Sequence, residues 1–134
     1  MSSTSNKNTN LITSTLALVI SNKLRSLGIK TSNNGYKFLV RAITIKVIEY
    51  DDNDFSNFNT IYEKVSNSFN NTKTPIQIDD CIYYSINHRN NKLTKNNFEK
   101  VFGFEYDEFI FTNKNFIDEI SSIIRYNNWL QWNK

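Results

Sequence analysis

Residues 72–92, TKTPIQIDDCIYYSINHRNNK, decide the fold because they carry the clearest helix-start signal in the chain. Thr74 suits the N-cap, and Pro75 suits the first helical position, where its missing N–H would have no partner in any case. One apolar stripe follows at every fourth residue, formed by Ile78, Ile82 and Ile86. The stretch therefore predicts an amphipathic helix over Pro75–Asn90.

A second, shorter helical pattern lies just upstream and ends at the turn-like pair Asn70-Asn71. Its apolar positions are Ile61, Tyr62, Val65 and Phe69. Two helices joined by a short polar turn indicate a helix-turn-helix, in which Pro75–Asn90 is the recognition helix.

Composition sets the class of protein. The 134 residues are enough for one domain with a real core and too few for two comfortable ones. Only three Gly and one Pro are present, which argues against a turn-rich β-sandwich. The single Cys81 cannot form an internal disulfide, so we interpret it as a small buried hydrophobe in a reducing cytosol.

No signal for an enzyme, a metal site or a membrane span is found in the sequence. The nucleotide-binding, hydrolase and zinc motifs are absent, and Cys81 and His88 lie about 10 Å apart along one helix. Asp51–Asp54 lacks the Gly and the distal Glu of a calcium loop. No apolar run approaches the ~20 residues of a span, and no signal peptide is seen. We therefore expect a cytoplasmic protein with no cofactor, no bound metal and no membrane partner.

Charge is distributed unevenly along the chain. Residues 1–46 carry seven Lys or Arg and no Asp or Glu, whereas residues 47–134 carry nine basic and thirteen acidic residues. Such asymmetry is typical of a face that binds a polyanion. The alternative is that the cations simply solvate exposed helix faces, and charge alone does not decide between the two.

The remaining pattern predicts an all-α, six-helix single domain. We expect a disordered tail over 1–12, the helical domain over 13–126, and a tail over 127–134 that contains both tryptophans. Residues 104–112 read as an extended wing or an irregular loop, and the β-branched second helix leaves a strand as an alternative. The other helices are predicted over Thr13–Leu27 (ended by Gly28), Tyr36–Tyr50, Phe55–Phe69, Lys95–Phe102 (with Thr94 as N-cap and Gly103 as its stop) and Asn115–Tyr126.

Several motifs, in order along the chain, resemble those of a known family. The strongest is Gly35–Ile43, GYKFLVRAI, which is similar to a glycine–aromatic–Leu–Arg–x–Ala–Ile signature. The similarity continues at Tyr62–Asn70, at Val101–Phe104 and at Thr112–Ile117. Over residues 14–125 the chain resembles the C-terminal effector domain of the stage-zero sporulation protein A. The resemblance implies a six-helix fold that contains a helix-turn-helix and binds DNA.

The chain differs from this family at the start of the recognition helix, where family members contact the bases of DNA. The family's arginines at the start of the recognition helix fall on about Gln77 and Asp80, and its glutamate falls near Asp79. Arg pairs with guanine, whereas Gln prefers adenine and Asp can only accept a hydrogen bond. The family's sequence preference is therefore not transferred. Members normally carry a phosphorylatable receiver domain, and we expect none here.

If the recognition helix reads DNA, the residues that face away from the isoleucine stripe are the candidates. Those expected at base edges are Gln77, Asp80, Tyr83, Tyr84 and Asn87, and those expected at phosphates are Lys73, His88, Arg89 and Lys92, with Thr74 at the helix start. The alternatives are partial core packing for the two tyrosines, a solvated face for Lys92 and an exposed polar position for His88.

Two functions remain open at this point. The first is a sequence-specific or accessory protein that binds double-stranded DNA, similar to a transcriptional regulator. The second is a protein-interaction module that kept the fold and lost DNA readout, as the acidic residues Asp79, Asp80 and Glu105–Glu108 would suggest. Trp129 and Trp132 could then hold a protein partner or a second copy, because Trp is favoured at interfaces.

Overall fold

Six α-helices and one short 3₁₀ turn form the regular structure in the computed structural model, which describes residues 3–50 and 58–126. No strand is present in these ranges, so the all-α prediction is confirmed. The helices are α1 (Ser3–Ser26), α2 (Asn34–Glu49), α3 (Phe58–Ser68), α4 (Pro75–Asn87), α5 (Asn91–Phe102) and α6 (Asn113–Ile124), with the 3₁₀ turn at Glu108–Ile110.

Helix α2 lies at the centre of the fold, where it contacts α1, α3, α4 and α6. Its apolar residues cover most of its circumference, and the strand alternative is wrong because burial on several sides outweighs β-propensity. Its last turn is tied to α6. Arg125 donates to the backbone oxygens of Lys46, at 2.6 Å, and Val47, at 2.9 Å.

Helix α1 buries a regular stripe against this centre. Its stripe residues Leu16, Ile20 and Leu24 are fully buried, as is Leu27 directly after the helix. Gly28, with a φ of +87°, ends the helix as predicted, since that left-handed conformation favours Gly. The helix begins at Ser3 rather than Thr13, so the predicted disordered tail has helical backbone from residue 3; no Gly or Pro interrupts it there.

The starts of the last two helices differ from the predictions. Asn90, not Thr94, caps α5, and its side chain accepts from the backbone N–H groups of Lys92 and Leu93. Thr94 is instead buried, and its hydroxyl donates to the backbone oxygen of Leu27 at 2.5 Å. Helix α6 begins at Asn113 with Thr112 as its N-cap. In both cases an earlier capping residue starts the helix.

Some predictions lie outside the described residues. They concern the acidic segment Asp51–Asp54, the predicted start of the third helix at Phe55, and the tryptophan tail at 127–134. Within the described part, no helix is both long enough and apolar enough to cross a membrane.

The segment 104–112 is irregular rather than an extended wing, and it contains the 3₁₀ turn. It is held against α5 and α6 by ring contacts, because its aromatic side chains meet those of both helices. Phe98 contacts Phe104 and Tyr106, with ring centroids 5.6 and 5.1 Å apart, and Phe111 contacts Phe116 at 5.7 Å.

Candidate nucleic-acid interface

The turn between α3 and α4 is closed by its own polar groups. Asn70 and Asn71 adopt left-handed conformations, with φ of 59° and 56°, which Asn tolerates better than most residues. The Ser66 hydroxyl donates to the backbone oxygen of Lys73 at 2.6 Å, and the Asn71 N–H donates to the backbone oxygen of Ser66 at 2.9 Å. The turn therefore fixes the direction in which α4 leaves α3.

A capping box starts α4 at the predicted residue. The Gln77 N–H donates to the Thr74 hydroxyl at 3.2 Å, and the Thr74 N–H donates to the Gln77 side-chain oxygen at 2.9 Å. Pro75 occupies the first turn, as expected. Gln77 is exposed but its side-chain oxygen is engaged in the cap, which limits it as a reader of bases.

The inner face of α4 is anchored tightly to α2. Ile78, Ile82 and Ile86 are fully buried. The backbones approach so closely at Gly35 that a Cβ added there would lie 2.0 Å from the Cys81 oxygen. The two helices consequently form one rigid support, and the opposite face of α4 is left outward.

That outward face carries most of the predicted base-edge candidates. Tyr83 and Tyr84 are 62% and 51% exposed, so neither is packed in the core. Asp80 and Asn87 are exposed beside them, and Asp80 and Tyr84 line a cleft with the start of α2. The structure thus brings four of the five candidates onto one surface, which we call the α4 face: Asp80, Tyr83, Tyr84 and Asn87.

The end of the α4 face is ordered by contacts within the helix. The rings of Tyr84 and His88 stack, with centroids 3.7 Å apart and planes 19° from parallel. The His88 Nδ1 lies 2.9 Å from the Tyr84 backbone oxygen, and the Asn87 side-chain amide donates to the Tyr83 backbone oxygen at 2.8 Å. Tyr84 and His88 therefore present a fixed aromatic edge rather than two free side chains.

Asp79 does not belong to the α4 face. The Asn113 side-chain amide donates to its carboxylate at 2.8 Å and to its backbone oxygen at 2.9 Å. On the other side, the hydroxyl of the buried Tyr62 lies close enough to interact with the same carboxylate. Burial, and then the Asp79 charge, raise the pKa of Tyr62 well above its ordinary value. Asp79 thus connects α3, α4 and α6, and we call this group the Asp79 clamp: Tyr62, Asp79 and Asn113.

Arg89 is also turned inward, unlike the other predicted phosphate contacts. Its side chain is only 5% exposed. The guanidinium lies 3.8 Å from the centre of the Phe111 ring, donates to the Ile86 oxygen at 2.9 Å and pairs with Glu108 at 3.5 Å. It therefore joins the end of α4 to the 3₁₀ turn and is not available to a phosphate in this arrangement.

The predicted lysines border α4 at its two ends. Lys73 is half-buried in the turn before α4, and Lys92 is exposed in the first turn of α5. Lys95, which was not predicted, follows on α5, with its ammonium 5.9 Å from the Tyr106 ring centre. These lysines place positive charge beyond both ends of the α4 face, and His88 is exposed at the helix end.

Sequence reasoning missed Tyr62 and Asn113 as parts of the site. Tyr62 was identified only as an apolar position of α3, and Asn113 lies 34 residues after Asp79. No local pattern connects residues so far apart, and a single Asn among so many carries no signal of its own.

Together, the fixed α3–α4 pair and the outward α4 face define an all-α helix-turn-helix domain. The family model described as "Sporulation initiation factor Spo0A C terminal" matches residues 20–124. The chain belongs to this family, which is the DNA-binding domain of a sporulation regulator, and the resemblance stated above is confirmed. No curated protein and no solved structure gave a significant match.

Proposed function

We propose that this protein binds double-stranded DNA through α4, as a sequence-specific or accessory regulator. The observation that carries the proposal is the asymmetry of α4: one side is fully buried against α2, and the other exposes tyrosine, amide and carboxylate groups. A recognition helix needs both a rigid support and an exposed polar face that can enter the major groove. This role places the protein with its DNA in the cytoplasm.

The contacts divide by position. Tyr83, Tyr84 and Asn87 face base edges, and Asp80 accepts from a cytosine amino group. Thr74 and Lys73 lie at the phosphates before the helix, and His88 and Lys92 lie at those after it. Gln77 contributes mainly through the cap, and Arg89 acts indirectly by holding the end of α4.

Fluorescence anisotropy tests the proposal with a labelled duplex of mixed sequence, titrated at several salt concentrations between about 50 and 200 mM. We expect affinity to fall as salt rises, with a slope of log K against log salt near −0.9 for each phosphate contacted. No binding at the lowest salt, or a slope near zero, would overturn the proposal.

Substitution on the α4 face tests the assignment of the reading helix. Tyr84→Ala removes an exposed ring and its stack on His88. We expect the difference in binding free energy between the tightest-binding duplex and an unrelated duplex to drop by about 1–3 kcal/mol. Tyr126→Ala is the matched control, because Tyr126 is 74% exposed on the segment after α6. Equal losses in the two variants would show that α4 does not read DNA.

The second candidate is a protein-interaction module that kept the fold without DNA readout. The observation that favours it is Phe109, which is 83% exposed among the acidic residues Asp107 and Glu108. Asp79 no longer supports this alternative, since its carboxylate is bound in the Asp79 clamp. A partner recovered with the intact protein and lost with Phe109→Ser, in a protein that fails the DNA titration, would establish it.

A further inference from the structure

A groove between α1 and α2 is not used by the proposed function. It has a volume of about 520 Å³ and runs from Thr13 to Ser21 on α1 and from Tyr36 to Thr44 on α2. Each side is about two helical turns long, or roughly 12 Å by the rise per residue. These dimensions suit two turns of a third helix laid between the first two.

The floor of the groove is apolar and held in place. Leu18 is 62% exposed at its edge, whereas Leu16 on the same helix is fully buried, and Val40 and Phe69 are partly buried below it. The hydroxyls of Ser21 and Tyr36 are hydrogen bonded across it and connect α1 to α2. The groove therefore exists before any partner arrives, so a partner would not have to open it.

The rim of the groove is positively charged. Lys37 and Arg41 line it, and neither forms an ion pair with any residue in the described part of the chain. The Lys37 ammonium lies 5.3 Å above the rings of Phe38 and Phe69. No Asp or Glu occurs before Glu49 in the sequence, so both walls lack carboxylates. An acidic partner therefore meets two cations here and no carboxylate on either wall.

The groove and the α4 face lie on opposite sides of α2. Gly35 faces Cys81 on α4, and Lys37 follows two residues later, about 200° further round the helix. Val40, Arg41 and Thr44 share the side of Lys37. A molecule in the groove therefore does not occupy the α4 face.

We propose that this groove binds an acidic amphipathic helix of another protein, with apolar side chains over Leu18, Val40 and Phe69 and carboxylates at Lys37 and Arg41. The proposal goes beyond DNA binding and does not depend on it, because the groove and the α4 face are separate surfaces. The apolar contact supplies affinity, and the two positive charges select an acidic partner.

The test uses a fluorescein-labelled peptide of about four helical turns, with Leu on one face and Glu on the other, titrated against the full chain. A matched peptide with Lys in place of every Glu measures charge selection. We expect the acidic peptide to bind at least tenfold more tightly than the basic one, and binding to weaken with salt. Failure of the acidic peptide to bind overturns the proposal.

Variants then locate the binding. Leu18→Glu and Arg41→Glu should each weaken binding of the acidic peptide about tenfold or more, with unchanged helicity by circular dichroism. Ile48→Glu is the matched control, because Ile48 is 42% exposed on α2 outside the groove. Equal effects of Ile48→Glu and Leu18→Glu would overturn the assignment.

Two other occupants would give different results. If Arg41→Glu weakened duplex binding and left the peptide unaffected, the groove would belong to the DNA surface and the proposal would fail. If sedimentation showed a dimer that Leu18→Glu dissociates, a second copy would be the occupant, and the proposal would fail again. Loss of duplex binding with intact peptide binding would instead overturn the proposed function alone.

Discussion

At the scale of single residues, the two neighbouring aspartates of α4 have opposite surroundings. Asp79 accepts a hydrogen bond from Asn113 and lies near the Tyr62 hydroxyl, whereas Asp80 is exposed and has no hydrogen bond or ion pair to any residue that the structure describes. Only Asp80 would therefore meet DNA phosphates with an unengaged negative charge. Because its partners are neutral, Asp79 keeps its negative charge, but that charge lies off the α4 face, and Asp80 is the carboxylate that DNA would contact.

Asn substitution separates the two roles, because each variant loses one charge and keeps its shape. Asp79→Asn places an amide against the Asn113 donor, and we expect the free energy of unfolding to fall by about 1–3 kcal/mol. Asp80→Asn should change stability by less than about 0.5 kcal/mol and should tighten duplex binding at low salt. Urea denaturation and the anisotropy titration measure both quantities. Equal stability losses in the two variants would contradict the Asp79 clamp.

At the scale of elements, the contact between α2 and α4 rests on Gly35. A Cβ at this position would lie 2.0 Å from the Cys81 oxygen and 2.5 Å from its carbonyl carbon, and both are backbone atoms that cannot rotate away. We expect Gly35→Ala to shift α4 and to destabilise the fold by about 1–3 kcal/mol, and by more if the helices cannot separate. Duplex affinity should fall as well, since the orientation of the α4 face changes.

Gly103→Ala provides the control, and both variants are compared by urea denaturation and by duplex binding. An added Cβ at Gly103 meets no atom within 4 Å, but its φ of +82° strains Ala by about 1–2 kcal/mol. We therefore expect this variant to lose stability and to keep its affinity for the duplex. If Gly35→Ala also kept full affinity, the close packing of α2 on α4 would not be what positions the α4 face for DNA.

Helices and their ends were predictable where the signal is local. Thr74 and Pro75 start α4, and Gly28 and Gly103 end α1 and α5, because each acts on backbone groups within its own turn. The predicted start of α5 was wrong because Asn90 and Thr94 are both good N-cap residues. The choice between them depends on packing, since burial of Thr94 against α1 requires the helix to have begun earlier.

The candidate site was less predictable because two of its charged residues, Asp79 and Arg89, have partners that lie far from them in the sequence. The isoleucine stripe correctly identified the outward side of α4, and with it Asp80, Tyr83, Tyr84 and Asn87. Arg89 was predicted outward, but its partners Phe111 and Glu108 lie in the irregular segment after α5. Helical spacing assigns a residue to a side of its own helix and says nothing about such partners.

At the scale of the whole molecule, α2 separates the two surfaces for which we propose different partners. The α4 face lies on one side and the groove at Leu18, Lys37 and Arg41 on the other. A separated arrangement permits one protein to hold DNA and an acidic partner together. The uneven charge of the sequence has a structural consequence at this scale. The first third of the chain, which lacks carboxylates, forms both walls of the groove.

Simultaneous binding predicts a small and salt-dependent coupling between the two partners. We expect the Kd of the acidic peptide to rise a few-fold when the protein is saturated with duplex at low salt, because the phosphates and the peptide carboxylates repel each other across the domain. The Debye length shrinks from ~30 Å at 0.01 M to ~8 Å at 0.15 M salt, so the ratio of the two Kd values should approach one there. Peptide anisotropy with and without unlabelled duplex measures that ratio. Complete displacement of the peptide at the higher salt would mean that the two ligands share a surface, since screened charges cannot produce competition across the thickness of α2.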